Sequence, residues 1–226
     1  MSRKLKIAGA CLNQTPINWE SNTQHILAAI KEAREQEADI LCLPELSIPG
    51  YGCEDLFLSD WVSEESWRQL LEIREACSHI TVCIGLPLRI QHFTYNGVCV
   101  ISNKKILGIN LKQFLARDGV HYEPRWFEPW PAGKQMHIDI EGESVLVGDI
   151  NFELKGVSIG FEICEDAWRP NRPGINLLKR NIELIINPSA SHFAFAKNFE
   201  REKLVSDSSL QFNCTYVYVN HLGNEA

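Results

Sequence analysis

The sequence predicts an α/β protein in which helices cover layered β-sheets. Apolar runs of strand length alternate with segments of helical periodicity, and several neighbouring strands are joined by short turns. Hydrophobic residues make up 45% of the 226 residues, which is enough for one well-buried core. Because helices must cover the faces of the sheets, we expect an α-β-β-α sandwich that forms one domain over residues 1–226.

The first part of the chain alternates strands with helices. Ile26, Ile30 and Ala33 recur at helical spacing, which predicts a helix. Ser21 or Asn22 is expected to cap its start. The predicted strands here are 6–12, 40–43 and 81–87, and the predicted helices are 21–36 and 61–77.

The second part begins with a predicted hairpin, 97–102 and 106–111. Segment 113–135 lacks clean periodicity, and a loop of that length inside a compact domain is often functional. Its aromatic residues, Trp126, Phe127 and Trp130, are expected to pack the loop down. Further strands are predicted at 136–140, 145–150, 157–161, 184–187 and 215–220, and helices at 173–180 and 198–212.

Charge and hydropathy disfavour several classes of function. The net charge is −7 and the chain has no basic run, which argues against binding to nucleic acid or an anionic membrane. No apolar run approaches the roughly 20 residues that span a bilayer. The first residues lack the apolar core of a signal peptide.

The eight cysteines show no Cys-x-x-Cys pair, so we expect no metal site. Cys42, Cys83 and Cys99 lie inside apolar runs, where cysteine acts as a small hydrophobic residue. A reducing, cytoplasmic compartment is therefore expected.

Three apolar strands end on residues that suit one reaction. Glu45, Lys112 and Cys164 follow the runs at 40–43, 106–111 and 157–161. A cysteine attacks a carbonyl as its thiolate, and a neighbouring carboxylate can take the proton. An ammonium group can stabilise the thiolate and the oxyanion that follows. The set therefore predicts hydrolysis of a small amide through a thioester.

The strand-end motifs resemble those of the nitrilase, or carbon–nitrogen hydrolase, superfamily, whose members use a Glu-Lys-Cys triad on an α-β-β-α sandwich. The motifs are Pro44-Glu45, Asn110-Leu-Lys112 and Glu162-Ile-Cys164-Glu-Asp166. Longer runs are similar to the glutaminase domain of glutamine-dependent NAD synthetases. These runs are Pro44-Glu-Leu-Ser-Ile-Pro-Gly-Tyr-Gly-Cys-Glu-Asp-Leu-Phe57, Cys164-Glu-Asp-Ala-Trp168 and Asn187-Pro-Ser-Ala-Ser191.

The resemblance implies roles for further residues. Glu123 would support Lys112, and Tyr51 would line the glutamine pocket. Ser191 and Lys197 would hold the amino-acid end of glutamine, where a hydroxyl and a cation suit an α-carboxylate. Glu165 would face the α-ammonium group.

The resemblance also implies partners. Ammonia from glutamine would pass to an ATP-using NAD synthetase domain, whose SGGxDS loop does not occur in this sequence. We therefore expect a fragment of a longer chain, with no cofactor for this domain and with ATP and Mg²⁺ needed only by the synthetase domain. A homo-oligomer is also expected.

Some positions depart from the family pattern. The family has Leu-Pro-Asn-Tyr where this chain has Leu115-Ala-Arg-Asp118, so Asp118 replaces a pocket tyrosine. His192 and Ala196 replace a proline and a glycine. These changes affect how the substrate amine would be held and leave the three strand-end residues intact.

Other interpretations remain open at this point. Cys164 could be a structural thiol, although its acidic neighbours Glu162, Glu165 and Asp166 are unusual in a core. Ser191 and Lys197 could be a cap residue and a surface charge. The chain could act on another small amide as a free-standing amidase or nitrilase, or serve as a non-catalytic scaffold. A scaffold has no need of a buried lysine.

Overall fold

The protein is described by a computed structural model that covers residues 4–117 and 121–222. It contains two β-sheets and four α-helices within those ranges. The strands are β1 Ile7–Gly9, β2 Ile40–Cys42, β3 Thr81–Ile90, β4 Phe93–Ser102, β5 Lys105–Leu111, β6 Gln135–Ile140, β7 Glu143–Gly148, β8 Phe152–Leu154, β9 Val157–Phe161, β10 Leu184–Ser189 and β11 Thr215–Asn220. The helices are α1 Trp19–Glu35, α2 Asp60–Arg74, α3 Gly174–Lys179 and α4 Lys197–Phe212.

One sheet has seven strands in the order β1-β2-β3-β4-β5-β7-β6, and the other has four in the order β11-β10-β9-β8. β1, β2 and β3 run parallel, as do β9, β10 and β11. Antiparallel hairpins extend the sheets through β3-β4-β5, β6-β7 and β8-β9. The carboxyl ends of β2, β5 and β9 carry the three predicted reactive residues.

A buried apolar layer joins the inner faces of the two sheets. Ile40, Val98 and Val100 of the larger sheet pack with Phe161 and Ile186 of the smaller one. Alternate residues of the larger sheet face outward, towards α1 and α2, as period-2 alternation requires. The four layers confirm the predicted α-β-β-α sandwich.

The outer helices bury the apolar stripes that predicted them. Ile26, Ile30 and Ala33 of α1 are buried against the larger sheet, and Leu177 of α3 and Phe212 of α4 pack on the smaller one. The helix bounds agree with the predicted ones to within a few residues.

The predicted cap of α1 is wrong. Asn18 caps the helix by accepting a hydrogen bond from Ser21 N at 3.3 Å. Asn22 instead is buried, where its amide donates to the carbonyls of Thr15 and Ile48 at 2.9 and 3.1 Å. The capping residue lies one turn earlier because the helix begins at Trp19.

Several strands also differ from expectation: β1 ends three residues earlier than predicted, at Gly9, and β4 begins four residues earlier, at Phe93. β8 was not predicted, because its three residues have no pattern of their own and form a strand by pairing with β9. β7 begins at Glu143 and ends at Gly148, two residues earlier than predicted. The residues of the turn between β6 and β7, Glu141 and Gly142, both have positive φ, as tight hairpin turns require.

Across residues 4–117 and 121–222, we find no helix that is both long and apolar enough to cross a membrane. All eight cysteines lie in these ranges, and none of them forms a disulfide there.

β3 packs closely against the segment that carries Glu45. A Cβ atom placed on Gly85 would lie 2.2 Å from Leu46 N and 2.6 Å from Pro44 O. Gly85 O also accepts a hydrogen bond from Ile48 N at 3.1 Å. Glycine at this position lets the backbone of the 44–48 segment lie directly on β3.

We expect Gly85→Ala to destabilise the protein, because the added methyl group meets backbone that cannot move cheaply. Overpacking of this kind typically costs about 1–3 kcal/mol in the free energy of unfolding. Gly9→Ala in β1 is the matched control, since the added Cβ would meet a Val219 side chain at 3.0 Å. Urea denaturation should show a clearly larger loss for Gly85→Ala, and equal losses would contradict the close packing.

Candidate active site

Glu45 lies three residues beyond β2 and is fully enclosed. Its Oε1 accepts hydrogen bonds from Lys112 Nζ at 2.6 Å and Asn96 Nδ2 at 2.7 Å. Its Oε2 accepts from Ala190 N at 3.0 Å, just past the end of β10. Because donors from three elements fix this buried carboxylate, its position is determined by both sheets.

Lys112 directly follows β5, and its side chain is inaccessible to solvent. Its ammonium group lies 2.6 Å from Glu45 Oε1 and 2.7 Å from Glu123 Oε1. Its backbone is also fixed, because its N–H donates to Asn96 O and its carbonyl accepts from Trp130 N, each at 2.9 Å. The lysine is thus held at both ends.

Glu123 begins a short 3₁₀ turn, Glu123–Arg125, inside the long loop. Its Oε1 accepts from Lys112 and from the Tyr51 hydroxyl at 2.9 Å, and its Oε2 accepts from Ala116 N at 2.8 Å. Burial raises the pKa of Glu123, although Lys112 opposes that effect. Burial and the charge of Glu123 also raise the pKa of the Tyr51 hydroxyl well above its usual value, so Tyr51 remains a donor.

The charges around Lys112 keep it protonated. Burial by itself lowers the pKa of a lysine, but the carboxylates of Glu123 and Glu45 outweigh it and raise the pKa of Lys112 well above its ordinary value. Removing one partner of such a buried cluster leaves an uncompensated charge and is strongly destabilising. The three groups therefore behave as one unit.

Cys164 is half-buried and begins the 3₁₀ turn Cys164–Trp168 after β9. Its φ of +46° is unusual for a residue other than glycine, and such backbone is often found at functional sites. Burial raises the pKa of the Cys164 thiol, and Glu45 raises it further, whereas Lys112 lowers it. The thiol is therefore protonated near neutral pH and needs a base before it can attack.

The structure brings Glu45, Lys112, Glu123 and Cys164 together. Glu123 comes from the long loop, and the other three lie just beyond the carboxyl ends of their strands. The charges of Glu45, Lys112 and Glu123 all act on the Cys164 thiol. Glu45 and Lys112 follow strands of the larger sheet, and Cys164 follows a strand of the smaller one. The cluster therefore depends on the packing of the two sheets against each other.

The structure corrects the expectation that acidic residues beside Cys164 argue against a buried position. Glu162 and Asp166 are almost fully buried, so acidic residues beside Cys164 do not indicate exposure. The Glu162 carboxylate pairs with the Arg172 guanidinium, and it also accepts from Gly174 N at 2.7 Å and the Tyr216 hydroxyl at 2.8 Å. Because these partners pair with the Glu162 carboxylate, its charge can be buried.

Asp166 connects the Cys164 turn to the segment after Lys112. One carboxylate oxygen accepts from Gln113 N at 3.0 Å and Phe114 N at 2.7 Å. The other accepts from Ile163 N at 2.8 Å. Because these donors adjoin Lys112 and Cys164, Asp166 fixes the two reactive residues relative to each other.

The chain matches the carbon-nitrogen hydrolase family over residues 6–225. The chain belongs to this family. It is 33% identical to a putative glutamine-dependent NAD(+) synthetase of Schizosaccharomyces pombe over 99% of its own length and 33% of the relative's. It is also 33% identical to the glutamine-dependent NAD(+) synthetase of Rattus norvegicus, covering 99% of this chain and 32% of that protein.

Two solved structures are also similar to this carbon-nitrogen hydrolase. A crystal structure of a glutamine-dependent NAD(+) synthetase from Cytophaga hutchinsonii superimposes with a TM-score of 0.91 at 49% identity, over 98% of this chain and 37% of that one. An amidase from Nesterenkonia sp. superimposes with a TM-score of 0.77 at 19% identity, over 96% of this chain and 76% of that one, which supports the fold alone. The hydrolase chain spans about a third of the length of its synthetase relatives.

Of the residues predicted to bind substrate, Tyr51 and Lys197 lie within electrostatic range of the Cys164 thiol. Lys197 is the first residue of α4. Burial lowers its pKa, and the charges of Cys164 and Glu165 oppose that shift. Its Nζ lies 3.2 Å from the ring nitrogens of His192. Ser191 accepts a hydrogen bond from Arg201 on its Oγ at 3.2 Å, and Glu165 pairs with Arg169 at 2.6 Å.

Other predictions about the site have mixed outcomes. Phe127 and Trp130 are buried, as the packing interpretation of the loop aromatics predicted, and Trp126 packs against the apolar cluster that contains Phe127. Asp118, the expected change in the amine pocket, lies outside the described residues. The parts of the hydrolase that the structure describes contain no group of three or more His, Cys, Asp or Glu residues that could hold a metal ion.

Sequence reasoning missed several residues of the hydrolase site. Asn96 binds Glu45 through its side chain and Lys112 through its carbonyl, yet Asn-Gly is a typical turn dipeptide. Here it lies inside β4 instead. The Ala190 N–H has no sequence signal, because any residue supplies one. Asp166 stands out in the sequence only as part of the motif that contains Cys164.

We expect Asp166→Ala to destabilise the hydrolase strongly. The substitution leaves three backbone N–H groups without their acceptor, and each buried unpaired donor costs about 1–3 kcal/mol. The free energy of unfolding should therefore fall by at least about 3 kcal/mol. Asp207→Ala is the matched control, because Asp207 is exposed and forms an ion pair with Lys203 on the same helix. A comparable loss in both variants, measured in urea, would contradict the connecting role of Asp166.

Proposed function

We propose that this hydrolase releases ammonia from the side-chain amide of glutamine through a thioester on Cys164. The observation that carries the proposal is the buried ammonium of Lys112, held at 2.6 and 2.7 Å between two carboxylates and close enough to the thiol to oppose the rise in the thiol's pKa. A buried lysine paired in this way is costly to maintain for structure alone. It is well suited to stabilise negative charge that develops beside it.

In the first half of the reaction, Glu45 takes the proton of the Cys164 thiol as the sulfur attacks the amide carbon. The new C–S bond gives a tetrahedral intermediate, whose oxyanion Lys112 stabilises. When the C–N bond breaks, the leaving nitrogen receives the proton from Glu45 and departs as ammonia. The glutamyl acyl group is left bound to the Cys164 sulfur as a thioester.

In the second half, water replaces ammonia. Glu45 removes a proton from the water as its oxygen attacks the thioester carbon, and Lys112 again faces the oxyanion. When the C–S bond breaks, the sulfur regains the proton, and glutamate leaves. Each cycle therefore consumes one water and returns Cys164 to its thiol form.

Glu123 has a supporting role in this proposal. It keeps Lys112 charged and holds its ammonium, while Tyr51 and Ala116 N fix the Glu123 carboxylate in turn. Among the charges that act on the Cys164 thiol, that of Glu45 has a larger effect than that of Glu123, so Glu45 is the carboxylate proposed to exchange a proton with the thiol. The two acids thus have different roles set by their partners.

The amino-acid end of glutamine is proposed to lie near the start of α4. Lys197 supplies a cation for the α-carboxylate and Ser191 a hydroxyl, and Glu165 supplies a charge for the α-ammonium. The electrostatic effects of Cys164 and Glu165 on Lys197 support this placement. Tyr51, bound to Glu123, would form the inner wall of the pocket.

We further propose that residues 1–226 form the ammonia-producing domain of a longer NAD synthetase. The support is the match of almost the whole chain to about a third of each synthetase relative. In that arrangement the ammonia passes to a synthetase domain. ATP and Mg²⁺ belong to that domain, and this domain needs no cofactor of its own.

The decisive assay measures ammonia and glutamate release from glutamine, with asparagine and simple amides as comparison substrates. Glutamine should be hydrolysed with the highest kcat/KM. A preference for simple amides would favour a free-standing amidase, and no turnover of any amide would favour a scaffold.

We expect Cys164→Ala to abolish glutamine hydrolysis, with a fall in kcat of several orders of magnitude. Folding should change little, because a half-buried thiol contributes little packing. Cys214→Ala, at another half-buried cysteine, is the matched control and should retain wild-type turnover. Retained activity in Cys164→Ala would remove Cys164 from the mechanism.

We expect Lys112→Met to lower kcat by at least about 10²–10³, since it removes the donor to the oxyanion. It should also destabilise the protein by about 3–5 kcal/mol, because two buried carboxylates lose their shared partner. The double variant Lys112→Met/Glu123→Gln separates the two effects. It should regain much of the stability in urea but none of the activity, whereas recovery of both would show that Lys112 acts only on folding.

A further inference from the structure

His121 has an unusual environment beside the proposed active site. It is 8% exposed, and its ring lies edge-on to Tyr51 at 4.9 Å and tilted against His192 at 5.3 Å between centroids. Its Nε2 is buried and has no hydrogen-bond partner among the described residues. A buried ring nitrogen without a partner indicates a missing ligand group or water.

The surroundings of His121 favour an anionic partner. Lys197 Nζ lies 3.2 Å from the His192 ring, and Arg201 donates to the carbonyls of Ser191 and His192 at 2.9 and 2.7 Å. Cations thus border the histidine pair. The charge of Lys112 also reaches the His121 ring, which places that ring within electrostatic range of the reactive cluster.

The His121 ring is neutral near pH 7. Burial lowers its pKa to about 4, with His192, Lys112 and Lys197 acting in the same direction and Glu123 opposing them. A neutral imidazole with its proton on Nε2 can donate one hydrogen bond from that atom. A carboxylate accepts such a bond and is attracted by the neighbouring cations.

We propose that His121 is a specificity-determining residue whose Nε2–H donates to a carboxylate carried by the substrate amide. The inference rests on the proposed function and names the feature that distinguishes the substrate from simple amides. The substrate class is then an amide with a carboxylate at its far end, such as glutamine. His192, through its contact with Lys197, holds the cation on the same side.

A site that binds a polar group of its substrate discriminates against the analogue that lacks it. Glutamine and 4-aminobutanamide form such a pair, because the second has the same chain, amine and amide without the carboxylate. His121→Phe keeps a ring against Tyr51 and removes the donor. His137→Phe is the matched control, since His137 is an exposed residue of β6.

In the 226-residue chain, His121→Phe should lower kcat/KM for glutamine by roughly 10–100-fold, the loss typical of a hydrogen bond to a charged group. Its kcat/KM for 4-aminobutanamide should stay within about threefold of wild type. His121→Gln, which retains an N–H donor, should recover part of the loss. His137→Phe should change neither substrate.

Equal losses for the two amides, or no loss for glutamine, would overturn the proposal. If the wild type hydrolyses neither amide, the proposed function fails, and calorimetry on Cys164→Ala protein still tests His121. There, glutamine should bind roughly 10–100-fold more weakly when His121→Phe is added. Unchanged glutamine binding would overturn the assignment, and so would an equal loss for 4-aminobutanamide.

Discussion

The ammonium of Lys112, buried between the carboxylates of Glu45 and Glu123, is the interaction on which the rest of the site depends. A lone charge in this position would be prohibitively costly, and two facing carboxylates would repel each other. Together the three groups carry a net negative charge beside a thiol. Burial of the thiol, reinforced by that negative charge, keeps the thiol protonated at rest, and the adjacent Glu45 carboxylate is its proposed base.

The fold serves this cluster by joining two sheets around it. Glu45 and Lys112 come from the seven-stranded sheet, and Cys164 and the Ala190 N–H that binds Glu45 come from the four-stranded one. Asp166 then ties the Cys164 turn to the backbone after Lys112. Because the contacts cross between the sheets, the reactive geometry and the stability of the sandwich are expected to be lost together.

The layered fold and the strand-end positions of Glu45, Lys112 and Cys164 could be predicted from the sequence, because periodicity and strand termini are local signals. The remaining features depend on partners that are distant in sequence. Asn96 reads as a turn residue but lies in β4, and Asp166 is buried by backbone donors more than 50 residues away. The unpaired Nε2 of His121 is likewise a property of the packed loop and has no local pattern.

The central claim is that the thiol beside the Lys112 cluster becomes acylated during turnover. Rapid mixing with glutamine, an acid quench and mass spectrometry of peptides test it most directly. The account predicts one glutamyl group, attached to the peptide that carries Cys164, and its loss on treatment with hydroxylamine. Steady turnover with no acyl adduct at any time point, or an adduct on another cysteine, would contradict it.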